Sequence, residues 1–170
     1  MHSPQSGGGH CSRTVSNYPT VNASLFTVRH AIAQDASALA ALEQLCVQES
    51  EGFRGSTHLL SAVPPIGHEL EIFQADPQHI VLVIESSEEM CGFAQMEISD
   101  SVAMVQRVYV SLKARDLGAG ATLIDELRVY ARMQGCTRID AYALPGDRLT
   151  KNLFERAGMK ARLLIASSDL

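Results

Sequence analysis

No apolar run in this 170-residue chain reaches the ~18 residues that a membrane-spanning helix needs, so no membrane partner is expected. The N-terminus lacks the apolar core of a secretory signal, which points to a cytoplasmic location. No basic run offsets the formal net charge of −5, so no nucleic-acid partner is expected. The four cysteines, Cys11, Cys46, Cys91 and Cys136, form no Cys-X-X-Cys pair. They read as reduced thiols, three of them as small buried hydrophobes, and no local cluster of zinc ligands calls for a metal. His68-Glu69 is not followed by a second His four positions on, which excludes a metalloprotease helix motif. What the chain does have is a hydrophobic share of 46% and a charged share of 19%, those of a soluble globular protein. Its length suits one domain with a real core.

Residues 1–24 are rich in Ser, Gly, Pro, Thr and Asn without periodicity, so the expected organisation is a disordered tail followed by one domain, 25–170. A short strand is expected over 25–30, and a helix over 36–49 with Asp35 as its N-cap. On that helix Glu43 and Glu49 read as members of a solvated face. Residues 50–66 carry Gly52, Gly55, Pro64 and Pro65 and read as irregular, and a short helix follows over 68–75. Three strands, 79–85, 91–99 and 102–110, are joined by connections too short for crossovers, so they form an antiparallel meander. A helix to about Met133 is stopped by Gly135. The strand 137–144 comes next, parallel to the one before the helix. A helix over 148–156, with Asp147 as N-cap, and a last strand over 160–166 complete the chain.

The most informative stretch is 105–127. A β-branched and aromatic run leads into a turn containing Arg115, Gly118 and Gly120, then into apolar residues at helical spacing: Leu123, Ile124 and Leu127. A strand, a glycine turn and a helix start make an anion site, because the first N–H groups of a helix lack internal acceptors. A dinucleotide site of the Gly-X-Gly-X-X-Gly type lacks its first glycine, since Arg115 and Asp116 occupy that neighbourhood. A P-loop lacks its lysine, since Ala121-Thr122 follows the second glycine. An ordinary strand-to-helix turn stays open as the plain alternative.

Arg115-Asp116-Leu117-Gly118-Ala119-Gly120 resembles the Arg/Gln-X-X-Gly-X-Gly/Ala motif of the GNAT superfamily of acyl-CoA-dependent N-acetyltransferases. The run Leu153-Phe154-Glu155-Arg156-Ala157-Gly158-Met159 is similar to that family's Leu-Tyr-Glu-Lys-X-Gly-Phe segment. Thr27-Val28-Arg29-His30-Ala31 followed by Asp35 looks like its opening strand and helix, and the hairpin through Gly92-Phe93-Ala94 also agrees. The resemblance implies an α/β (α+β) chain with the GNAT-type acyl-CoA N-acyltransferase fold, a mixed central sheet with helices on both faces.

It also implies acetyl-CoA as co-substrate, and a primary amine on a small molecule or peptide as acceptor. Val108, Tyr109 and Val110 would take the pantetheine and thioester end. Arg115, Asp116, Leu117, Gly118, Ala119, Gly120 and Ala121 would take the pyrophosphate, and an N–H at or near Val110 the oxyanion. Phe154 stands where the family often has the tyrosine that protonates the leaving thiolate, which leaves Tyr142, Tyr109 or solvent for that step. Met104 stands where some members carry the basic Glu. Gln106 can orient a water, and Glu97 on the neighbouring strand is the candidate base, with His68 and Glu69 as further candidates. The acceptor pocket is expected from 46–75, with Phe53, Arg54, His58, His68 and Glu69 as candidates. An exposed terminal strand edge would suit a homodimer. The alternative function is a catalytically weak acyl-CoA sensor or interaction module on the same fold.

Overall fold

The computed structural model describes residues 25–87 and 89–166. The expected tail, 1–24, lies outside the described residues. Five strands lie side by side in chain order: β1 (Thr27–His30), β2 (His79–Ser86), β3 (Glu89–Ser99), β4 (Val102–Val110) and β5 (Arg138–Ala141). The first three pairings are antiparallel, as short connections require, and β5 runs parallel to β4. The helices are α1 (Ala36–Ser50), α2 (Ser56–Ala62), α3 (Leu70–Gln74), α4 (Leu112–Arg115), α5 (Ala119–Met133) and α6 (Arg148–Arg156).

β2 shows why the sheet is covered on both faces. Its run Ile80 to Ile84 is apolar at every position, and alternation divides it between two cores. Ile80, Leu82 and Ile84 pack with Leu123, Ile124 and Leu127 of α5 and with Phe154 of α6. Val81 and Val83 pack on the other face with Leu39 of α1, Leu70 of α3 and Phe93. The expected mixed sheet with helices on both faces is therefore the fold observed.

A β-bulge in β4 decides the chemistry of the α1 face. Gln95 pairs with Arg107 and Met96 with Val105, so Gln106 is the extra residue. Side-chain parity flips there: Ala103 and Val105 face α5, whereas Arg107 and Tyr109 face α1. Arg107 then meets Glu43 of α1, and both are buried. Glu43 Oε1 accepts from Ile66 N–H at 2.9 Å and Oε2 from Gly67 N–H at 2.7 Å, while the second Arg107 amino group donates to Val63 O at 2.6 Å. Glu43 thus anchors the 63–67 segment rather than facing solvent, which corrects the sequence expectation.

Four other expectations need correction. Residues 50–66 contain α2. Asp35 occupies the N-cap position of α1 without capping it: its carboxylate accepts from Ile32 N–H at 2.8 Å and from Arg29 at 2.6 and 2.9 Å. Cys46, Cys91 and Cys136 are half-buried free thiols rather than fully buried ones. Residues 160–166 form no strand and leave Leu163, Leu164 and Ile165 exposed.

Candidate active site

β4 and β5 are paired only from Val102 to Val105 on β4, and the last bond across the gap runs from Tyr142 N–H to Val105 O at 3.1 Å. Beyond it the two strands separate. Ser111 N–H donates to Cys91 O on the opposite side, so alternation turns the backbone groups of Val108 and Val110 toward the open gap. A cavity of about 300 Å³ fills this gap, and Gln106, Val108, Tyr109, Val110, Arg115, Asp116 and Gly120 are on its wall. An extended chain laid there would find a strand edge to pair with.

The glycine turn meets this edge. Gly118, the N-cap of α5, has φ +92, a left-handed conformation that favours glycine. The first bond of the helix is from Thr122 N–H to Gly118 O at 3.1 Å, so the N–H groups of Ala119, Gly120 and Ala121 precede any intrahelical acceptor. Gly120 has a second reason to be small. A Cβ there would lie 3.0 Å from Leu153 Cδ1, so the glycine lets α5 approach α6. The residues present fit a phosphate group held by backbone donors.

Arg115 is engaged with protein groups. Its Nε donates to Val110 O at 2.7 Å and a terminal nitrogen to Glu49 Oε2 at 2.5 Å, while the guanidinium lies 5.3 Å from the centre of the Tyr109 ring. Tyr109 donates its hydroxyl to Glu49 Oε1 at 2.8 Å. Burial and the Glu49 carboxylate push the Tyr109 pKa up to about 12. Glu49 is exposed, as a solvated face implies, and it also ties α1 to the strand end and to the glycine turn.

The structure gathers some candidate residues and disperses others. Tyr142 is on the cavity wall, as are Phe53, Asp147 and Cys46, whose thiol burial raises to about 11. Phe154 is not on the wall; it is buried in the core under α5, while its neighbour Leu153 reaches the cavity. Glu97 is also off the wall. It accepts from Gln106 Nε2 at 2.5 Å, and Gln106 in turn accepts from Gln95 Nε2 at 2.9 Å. Arg54, His58, His68 and Glu69 are exposed and line no part of the cavity. Asp147, expected as the cap of α6, does cap it: its Oδ1 accepts from Thr150 N–H at 3.0 Å. Among the described residues no group of three or more His, Cys, Asp or Glu is placed to hold a metal ion. No helix among them is long and apolar enough to cross a membrane.

Comparison with known proteins gives this geometry a family. The profile of the acetyltransferase (GNAT) family matches residues 37–159. An uncharacterized N-acetyltransferase of Bacillus subtilis (strain 168), YhfO, is 27% identical over 137 residues, covering 77% of this chain and 87% of that protein. The aminoglycoside antibiotic 6'-N-acetyltransferase AAC(6')-Ih of Acinetobacter baumannii superposes with a TM-score of 0.62 at 13% identity, over 85% of this chain and 99% of that one. A predicted acetyltransferase of Clostridium acetobutylicum, solved with acetyl-CoA, superposes with a TM-score of 0.64 at 13% identity, over 85% of this chain and 96% of that one. With the family match spanning the whole cleft, the chain belongs to the acetyltransferase (GNAT) family and is an acyltransferase of the N-acetyltransferase kind.

Proposed function

We propose that the chain transfers an acetyl group from acetyl-CoA to a primary amine by direct attack in a ternary complex. The observation that carries this reading is the juxtaposition of the open β4 edge with the free N–H groups at the start of α5. The pantetheine arm pairs with the edge at Val108 and Val110, and the turn from Arg115 to Ala121 takes the pyrophosphate through backbone donors. Arg115 holds the Val110 carbonyl and so sets the end of that edge. An inward N–H of Val108 or Val110 stabilises the oxyanion as the amine adds to the thioester carbonyl. Gln106 orients a water that accepts the amine proton, with Glu97 behind it. Tyr142 is the cavity hydroxyl that returns a proton to the CoA thiolate. Tyr109 is less suited, since its hydroxyl is committed to Glu49. The products are an acetamide and CoA.

Purified protein with acetyl-CoA and a panel of amines should release CoA thiol. Tight CoA binding by calorimetry without release for any amine would instead support the sensor reading, which the burial of Phe154 in the core, away from the cleft, favours. Exposed Leu163, Leu164 and Ile165 support a homodimer, which a monomeric mass in sedimentation would rule out.

A further inference from the structure

Resting on the acetyl-transfer reading of the cleft, we infer that the acceptor is a monoamine on an apolar body, an arylalkyl or bulky alkyl amine, and not a polycationic sugar or polyamine. The cleft continues past the coenzyme edge between the α1–α2 segment, with its loop 51–55, and the loop 142–147 that leads into α6. One side supplies Val47, Phe53, Leu59 and Leu60, and the other Leu144 and Leu149. The loops touch each other. A Cβ on Gly55 would lie 3.7 Å from Leu144 Cδ2, and one on Gly146 would lie 3.4 Å from Phe53 Cδ1. Both glycines sit at positive φ, +81 and +98, conformations that allow this close approach. The acceptor end is therefore a passage with mainly apolar walls.

Charge on those walls is limited. The wall carries three carboxylates, Glu49, Asp116 and Asp147. The Glu49 charge is already paired with Arg115, and its other oxygen accepts from Tyr109. Asp116 belongs to the coenzyme turn. That leaves Asp147, whose Oδ1 caps α6 and whose Oδ2 has no partner among the described residues. Arg156, also on the wall, adds a positive charge that opposes a second ammonium. One ammonium has a carboxylate to meet. Further ammonium groups of a polycation would lie against leucine side chains, where an unpaired charge is strongly disfavoured. The bound ammonium gives one proton to water, its nitrogen forms the C–N bond as the C–S bond breaks, and the nitrogen's second proton is lost as the departing CoA thiolate takes one up.

The test uses the intact chain with acetyl-CoA and reads CoA thiol release. Phenethylamine and hexylamine are expected to give at least about tenfold higher kcat/KM than spermidine or kanamycin. Phe53→Ala removes an apolar wall. Asp147→Asn removes the charge but keeps a good N-cap, so α6 stays formed. Each is expected to raise KM for phenethylamine by about tenfold or more, with the main loss in KM rather than kcat. Preference for spermidine or kanamycin, or unchanged KM in both variants, would overturn the acceptor class and leave acetyl transfer standing. Failure of every amine to release CoA thiol would remove the transfer reading itself and the acceptor class with it.

Discussion

Replacing Glu43 by Gln is the sharpest probe of how this molecule holds its cleft together. Glu43 is 1% exposed and accepts from two backbone N–H groups, of Ile66 and Gly67, and from Arg107. Gln keeps the shape and one acceptor oxygen. Its amide nitrogen must then face an N–H donor, and the Arg107 guanidinium, 6% exposed at its side chain, loses its counter-charge. Removing one partner of a buried pair costs roughly 3–5 kcal/mol, because the other charge is left uncompensated in a poorly solvated place. In a domain of this size each kcal/mol lowers Tm by roughly 2–4 °C, so a fall of about 10 °C is expected. Urea unfolding followed by circular dichroism measures the first quantity, and a thermal scan the second. The partner change Arg107→Met should also destabilise, and the double variant should lose less than the sum, since the two share one interaction. A Glu43→Gln loss below about 1 kcal/mol would refute the claim that this carboxylate anchors the 63–67 segment and the bulged strand.

Three further outcomes are expected. Gly118→Ala, at φ +92, should cost roughly 1–2 kcal/mol in urea unfolding from backbone strain alone, and the proposed phosphate site predicts weaker CoA binding by calorimetry as well. Arg29 holds the Asp35 carboxyl below its ordinary value of 3.8, so the unfolded chain binds the proton more readily; this stability is present above about pH 4 and is lost as pH falls through the lower folded value. Asp35→Asn should therefore lower stability at pH 7 and flatten its decline below pH 4, and an unchanged acid limb would contradict the assignment. Tyr142→Phe should lower kcat by about tenfold or more if this hydroxyl protonates the thiolate, with a smaller effect when the acyl donor carries a more acidic thiol.

The order of the five strands, the antiparallel meander, the parallel return strand and the glycine turn at the start of α5 were legible in the sequence. Each is written in short-range terms: periodicity of apolar residues, connection length, and the left-handed backbone at Gly118 that glycine tolerates cheaply. The burial of Glu43 and Phe154 and the partners of Glu49 were not. Glu43 and Glu49 meet partners 64 and 66 residues away, and nothing in the spacing of α1 announces them. Gln106 is an unexceptional strand residue until its register against β3 makes it a bulge, and that one inserted residue turns Arg107 and Tyr109 toward α1. Likewise, residues 160–166 have the pattern of a strand, but strand pairing needs an edge to hydrogen-bond with, and a local pattern cannot supply it. The sequence alone determined which family of folds the chain enters and where a glycine turn opens α5. Tertiary structure decided which charges are buried together and which side chains face the cleft, because those depend on register and on packing between segments far apart in the chain.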